Sequence, residues 1–444
     1  MRPIASLAAL AALLLALPAS ALAGSYPAPS DPGSGPPGSG KAGQKLSVCK
    51  RGCDYTRIQD AVNAAGRNSS IRVKAGTYKE GVIIRGARKN GISLTGSAGK
   101  PESVLLEGKG VSGGPGQNGV RIDGADDVSV RGFKAQNFKG NGFFVTNADD
   151  YSFRNLIAVK SGAYGLYAFN ARGGEMLDSE AYYFSDAGTY VGQTPPQARP
   201  KRTRLAGLKM WGSAQGFSGQ NMRYVTITDS DWYNNGLGLS FTSRDSEKYT
   251  PEEDNVLSGN RIFLNNFNSY VGTPVFGVPR NEFVGGFTFP VGVGLLLYGG
   301  FDNRIENNQI FGHYAGGIGM LNSLEYDPGK CSGCRPESEV LKRNTVTGNS
   351  FGNGGANPNG RDIAYTGQGV GNCIADNPGA TTNLPANNST LTCDGPTVPN
   401  TEDPSVLGDL IVAGGVTGDP THQAGWVRLP QSPVPGITPL ERQG

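Results

Sequence analysis

Gly119-Val120-Arg121-Ile122, Gly142-Phe143-Phe144-Val145, Gly165-Leu166-Tyr167-Ala168 and Gly188-Thr189-Tyr190-Val191 are four versions of one phrase, and each glycine stands 23 residues after the last. A fixed period of this length marks a repeat architecture, in which a unit buries its apolar face only by stacking on its neighbours. The period stretches to Gly216 (28 residues on) and Gly236 (20 on), then returns between Gly294 and Gly317, again 23 apart. One and three residues after the glycine lie Val120/Ile122, Phe143/Val145, Leu166/Ala168, Thr189/Val191, Leu295/Leu297 and Ile318/Met320. That alternation is a strand with one face inward. Arg121, Phe144, Tyr167 and Tyr190, between those pairs, are expected to point outward. The glycine itself reads as a coil corner where the backbone turns.

Five residues after the glycine, Asn147, Asn170 and Asn221 recur, and asparagine stacked at a turn tolerates left-handed backbone. Runs at Asn255 to Asn260, Asn303 to Asn308 and Asn344 to Asn349 repeat the theme. Each coil then holds two or three short strands between Gly/Asn/Asp turns, paired in parallel with the next coil at about 4.8 Å. The fold expected is all-β: a single-stranded right-handed parallel β-helix of about 23 residues per coil. Ile58, Ala61, Val62 and Ala65 make an amphipathic stretch over Thr56 to Ala65, a short N-terminal helix able to plug the open first coil.

Composition agrees. The 444 residues include 68 Gly, and only 17% are charged, against typical usage of roughly 7% and 25%. No Gly-X-Y period supports collagen and no heptads support a coiled coil. A net charge of +3 gives no reason to expect nucleic acid or an acidic membrane as partner.

Residues 1–23 carry Arg2, an apolar run from Leu7 to Leu17 and Ala21-Leu22-Ala23, the pattern of a secretory signal peptide. Residues 24–46 read as a Gly/Pro/Ser-rich linker, 47–395 as the β-helix and 396–444 as a Pro-rich tail. A secreted, extracellular protein without a membrane span is expected. Its cysteines then read as local disulfides, Cys49/Cys53, Cys331/Cys334 and Cys373/Cys393. The alternative for Cys331-Ser332-Gly333-Cys334, a redox or zinc motif, has only His313 and His422 to complete a zinc site.

Ile58-Gln59-Asp60-Ala61-Val62, followed by Ile71 to Glu80, resembles the N-terminal cap and first coil of pectin-lyase-like right-handed β-helix proteins. The Asn-x-Ile runs are similar to the generic repeat region of that family, over about residues 47 to 375. The resemblance implies the fold; lyases, hydrolases, esterases, epimerases and non-catalytic adhesins all share it. The family's hydrolase, esterase and epimerase signatures are not assembled: His313 sits in Gly312-His313-Tyr314, and Asp327-Pro328 and Asp419-Pro420 lack the continuation.

Lyase chemistry asks for a base and a cation near a uronate carboxylate. Five residues before successive glycines stand Asn137, Lys160, Tyr183, Trp211 and Asp231. From this row Lys160 and Asp231 are the candidates for proton transfer. Tyr183 and Trp211, with Arg121, Phe144, Tyr167 and Tyr190, are the candidate sugar-binding residues. Insertions at Gln193 to Arg204, rich in Arg and Lys, and at Arg244 to Asp254 would crowd one face. The acidic turns Asp126/Asp127 and Asp149/Asp150 could take calcium, or stay solvated with Arg172 as counter-charge; no cofactor is expected. The function expected is binding of an extracellular, acidic polysaccharide, with cleavage by β-elimination or epimerisation if the protein is an enzyme. The alternative is a non-catalytic surface, adhesion or structural module.

Overall fold

The glycine that opens each coil is there because the next coil leaves no room for a side chain. The computed structural model describes residues 40–111, 117–244, 247–267, 290–323, 340–383 and 391–393. Within it Gly119, Gly142, Gly165, Gly188, Gly216, Gly238, Gly294 and Gly317 form one row. A Cβ on any of the first seven would lie within 3.1 Å of the carbonyl oxygen of the next glycine. None of the eight has a positive φ. Close approach of backbones, not a corner in the chain, selects the residue. The row also corrects the register after the first insertion. The partner of Gly216 is Gly238, because Phe217 pairs with Leu239, and Gly236 lies outside the row.

Three parallel faces surround the core. The first is a ten-stranded sheet running from Val82–Arg85 to Ile363–Tyr365. The second and third share a twenty-stranded sheet. One coil shows the plan, with strands Tyr164–Phe169, Glu175–Leu177 and Glu180–Tyr182 on the three faces in turn. Early coils run through the bend between second and third faces as one strand, Ser129–Gln136 or Ser152–Val159. Later ones break there at a left-handed residue, such as Asp178, Gly207, Asp229 or Gly259. The expected inward positions hold: Val120, Phe143, Leu166, Thr189, Phe217, Leu239, Leu295 and Ile318 stack in register, each fully buried.

The first coil is closed by the helix Ile58–Ala64, whose Ile58, Ala61 and Val62 are buried. Its ends are satisfied from a distance. Glu80 accepts hydrogen bonds from the Ile58 and Gln59 amides at 2.9 and 3.1 Å. Lys89 Nζ donates to the carbonyls of Val62, Asn63 and Ala65 at 2.7, 3.0 and 2.5 Å. A carboxylate at the N-terminus and an ammonium at the C-terminus complement the helix dipole. The first strand, Lys45–Val48, begins inside the stretch read as linker.

Asparagine ladders brace the turns. Asn255, Asn303, Asn344 and Asn372 are buried, and the side-chain carbonyls of the last three each accept the amide N–H of the preceding rung at 3.1 Å. Fully buried Glu252 stands beside this ladder and accepts from the side-chain amides of Asn255 and Asn303. Burial pushes its carboxyl up to about 8, against those two hydrogen bonds; Glu253 pushes the same way and Arg223 opposes. The folded chain therefore holds a proton there that the unfolded chain, with its value of 4.5, has released. Stability is expected to fall as pH rises through that interval and to level off above it. Glu252→Gln, shaped like the protonated acid, should flatten this slope in denaturant midpoints taken from pH 5 to 9; an unchanged slope refutes the assignment.

His313 belongs to another ladder and not to a signature of catalysis. The Asn235 amide donates to Asn265 Oδ1, the Asn265 amide to His313 Nδ1 at 3.3 Å, and the His313 amide to Asn359 Oδ1 at 3.0 Å. Its Nε2 lies 3.1 Å from the Ile262 carbonyl, a place where Asn265 uses its amide on Trp232. Burial lowers its pKa to about 3. His313→Asn should therefore leave stability nearly unchanged. His313→Ala orphans a buried donor and a buried acceptor, at roughly 1–3 kcal/mol each. Chemical denaturation of the two variants checks the contrast.

The disulfides Cys49–Cys53 and Cys373–Cys393 are formed. Cys331 and Cys334 lie outside the described residues, as do the signal-peptide stretch and the tail from 396. No described helix is long and apolar enough to cross a membrane.

Candidate functional site on the first face

Arg121, Phe144, Tyr167, Tyr190, Ser218 and Ser240 form one outward column, rung on rung. They point away from the core, yet Arg121, Phe144, Tyr167 and Tyr190 are only 5, 1, 7 and 1% exposed. With Tyr164 and Ala187 the rings make a cluster of their own. Phe144 and Tyr167 stack at 4.4 Å, the Arg121 guanidinium covers Phe144 at 5.1 Å, and Tyr190 meets Tyr167 edge-on at 4.9 Å. Phe144 and Tyr167 give their faces to each other, and the edge-on Tyr190 is buried with them. No face is left on which a sugar could stack, so what remains for a ligand is the polar periphery of the column.

That periphery is rich. Asp186, 1% exposed, accepts hydrogen bonds from the Tyr164 hydroxyl and from Gln215 Nε2, both at 3.1 Å. Ser240 donates to Gln215 Oε1 at 2.7 Å, and the Tyr190 hydroxyl to Gln220 Oε1 at 3.1 Å. Arg244 and Glu247 are buried 4.0 Å apart, and Gln193 donates to Glu247 at 2.9 Å. Ser218 Oγ is buried without a hydrogen-bond partner among the described residues. Burial, reinforced by the negative charges of Glu247 and Asp186, raises the Tyr167 phenol well above its ordinary value, with Arg121 opposing. Tyr167 is thus a protonated donor at neutral pH.

Four ionisable groups are buried on this outer face, and pairing offsets the several kcal/mol that removing each charge from water costs: Arg121 donates to Asp123 at 3.0 Å, and Arg244 stands 4.0 Å from Glu247. Farther along, the same column continues as Leu296, Gly319 and Ala364, and the neighbouring clusters Leu321/Ala364 and Leu237/Val293 are apolar. Stacking alone does not need the charges.

The two insertions meet beside this cluster. Arg223, 2% exposed, donates to the carbonyls of Thr194, Tyr249 and Pro251 at 3.2, 2.7 and 2.7 Å, and to Glu253 at 2.8 Å. Two of the four cations of the basic loop, Arg199, Lys201, Arg202 and Arg204, are held in ion pairs. Lys201 pairs with Asp150 and Arg202 with Asp254, each at 2.5 Å. Arg172 takes Asp149 at 2.8 and 2.6 Å, while Asp126 accepts from Asn90 and from the Asp149 amide. Among the described residues no three His, Cys, Asp or Glu side chains are grouped to hold a metal ion.

The row that includes Lys160 divides. Asn137, Lys160 and Tyr183 occupy one left-handed turn position on successive coils. Trp211 is instead the register partner of Tyr182, and Asp231 that of Lys209. The turn before the glycine is one residue shorter at Gly212 and Asn234, and the glycine row passes through Gly238, so counting back from Gly216 and Gly236 drifts out of step. Lys160 and Asp231 are three rungs apart, about 14 Å along the axis at strand spacing, too far to share a proton. Asp231 is moreover held by Arg261 at 2.8 and 2.6 Å. Trp211 belongs to a second ring column on the third face, Tyr182–Trp211–Tyr233–Phe263–Phe311, stacked at 4.4 to 6.3 Å, with Tyr183 edge-on to its first two members.

Sequence reasoning missed Asp186, Gln215, Ser218, Arg244 and Glu247. One signal was available: the strand Gln215–Gln220 carries polar Ser218 and Gln220 at outward positions.

The family profile of the right handed beta helix region matches residues 76–398. No curated protein matches by sequence. Among solved structures, an alginate lyase from Paenibacillus sp. str. FPU-7 is 14% identical, with 70% of this chain and 95% of that one covered at a TM-score of 0.42. A pectate lyase is 14% identical over 67% of this chain and 82% of its own, at 0.39. The A-module of a mannuronan C-5 epimerase from Azotobacter vinelandii is 13% identical over 74% and 94%, at 0.36. At such scores the activities in those names stay with those proteins.

Proposed function

The chain belongs to the right-handed β-helix family, and from that premise we propose that it is an exported protein that binds an acidic polysaccharide at the first face and cleaves it by β-elimination. The observation that carries this reading is the burial of Arg121, Asp186, Arg244 and Glu247 around Tyr167 and Tyr190 on an outer surface. Arginine matches a uronate carboxylate with paired N–H donors and offsets the charge that develops beside it. A carboxylate of the cluster takes the proton adjacent to the uronate carboxylate. The sugar C4–O bond breaks as the C4–C5 double bond forms, and protonated Tyr167 returns a proton to the leaving oxygen. Export rests on the composition of residues 1–23 and on two formed disulfides.

The test is incubation with polygalacturonate, alginate and rhamnogalacturonan while the ultraviolet band of the new double bond is followed. Product from one polymer supports the reading. Binding to one of them in an affinity gel without product supports a second reading, a non-catalytic module, which the closed burial of the ring column favours. Neither binding nor product overturns both.

A further inference from the structure

The coil carries a second concave surface, at the corner opposite the first face. Where the second face bends into the third, a groove of about 340 Å³ opens between the loop near Pro101 and the outer side of the strands Glu180–Tyr182 and Lys209–Trp211. Asn155, Asp178, Glu180 and Lys209 supply its polar groups, and Pro101 and Ile157 are among its apolar ones.

Glu180 and Lys209 are register partners on adjacent strands. Opposite charges so placed ordinarily close on each other, and the same column does so two rungs on, where Asp231 and Arg261 meet at 2.6 Å. Glu180 and Lys209 do not. Glu180 Oε1 accepts from Trp211 Nε1 at 2.8 Å, leaving its second oxygen available, and Lys209 stands exposed outside every ion pair among the described residues. Asp178 is exposed on its left-handed turn, directly over Gly207, where a Cβ would lie 2.6 Å from Asp178 Oδ1. The turn thus fixes where this carboxylate sits.

We infer that this groove is a second glycan site, separate from the first face and selective for a neutral sugar. Two carboxylates accept from neighbouring hydroxyls in charge-assisted bonds, Asn155 and Lys209 donate to ring and hydroxyl oxygens, and Pro101 offers an apolar wall to C–H groups. Two negative charges against one positive repel a uronate, so the two sites divide acidic from neutral sugars. A polymer, or a wall containing both kinds, is then held at one corner while the opposite face engages another segment, which raises the effective concentration there. The inference does not rest on the lyase reading.

The experiment titrates the full chain with cellohexaose, xylohexaose, mannohexaose and hexagalacturonate, followed by tryptophan emission and by calorimetry. Trp211 is the reporter because its indole N–H is bonded to Glu180. The expected result is saturable binding of a neutral hexasaccharide, weakened about tenfold by Lys209→Ala and by Asp178→Ala, with Trp211→Phe abolishing the emission change. Both alanine variants alter exposed side chains, and circular dichroism confirms their fold. No binding of any neutral member overturns the inference, as does binding that both variants leave unchanged. Hexagalacturonate binding that either variant weakens also overturns it. Loss of product in the first-face assay leaves it standing.

Discussion

Gly165→Ala is expected to cost about 3 kcal/mol or more of stability, although it adds a single methyl group. The new Cβ would lie 2.5 Å from the Gly188 carbonyl oxygen, 2.5 Å from Ala181 Cβ and 3.1 Å from the Phe184 ring. None of these is the free end of a flexible side chain. The first is backbone of the next coil, and the others belong to fully buried core residues. Overpacking a filled core ordinarily costs about 1–3 kcal/mol, and here relief requires parting two coils whose strands hydrogen-bond along Leu166 to Phe169. In a solenoid each unit is supported only by its neighbours, so a breach in mid-stack has nothing beyond it to compensate. Gly99, where a Cβ meets nothing within 4 Å, is the control, and Gly99→Ala should lie within error of the parent. Denaturant midpoints of the two variants decide. Near-equal midpoints would show that the glycine row is kept for some reason other than contact between backbones.

The same row shows how far the sequence could be read. Its period was legible because each coil repeats a strand with alternate residues inward, and Leu166 and Ala168 land where alternation puts them. Its cause was not, because a glycine needed for close approach and one needed for a turn look alike in a string. Register is lost where the turn before Gly216 and Gly238 is one residue shorter and where Gly236 stands in for Gly238, so counting back five residues sets Trp211 and Asp231 beside Lys160. The ring column was found and its exposure misjudged: outward on a strand means away from the coil's core, and what covers a surface arrives from residues distant in sequence. Glu247 meets Gln193 across 54 residues, and Asp186 meets Gln215 across 29. Neither contact leaves a local trace, so beyond the polar strand Gln215–Gln220 the polar half of the site surfaced only in three dimensions.

The sharpest functional expectation sets Tyr167 against Lys160. Tyr167→Phe keeps the ring that stacks on Phe144 at 4.4 Å and removes only the hydroxyl. Removing a general acid typically lowers turnover by about 100-fold or more, so kcat should fall by that order while KM stays within about twofold. Arg121→Ala removes the guanidinium over Phe144, and with it a charge-assisted contact to a uronate carboxylate. Its KM for the acidic polymer should rise roughly tenfold, a loss of about 1.4 kcal/mol. Because burial and nearby carboxylates raise the Tyr167 phenol, deprotonation of this acid should not limit kcat until well above the ordinary tyrosine range. Lys160 is exposed on its turn, and its side chain makes no hydrogen bond or ion pair with the cluster among the described residues, so Lys160→Ala should leave kcat and KM unchanged. The reverse pattern, with Lys160→Ala inactive and Tyr167→Phe fully active, would move the chemistry off the first face. Its buried charges would then be structural pairs, Arg121 with Asp123 and Arg244 with Glu247, that hold the column together without touching substrate.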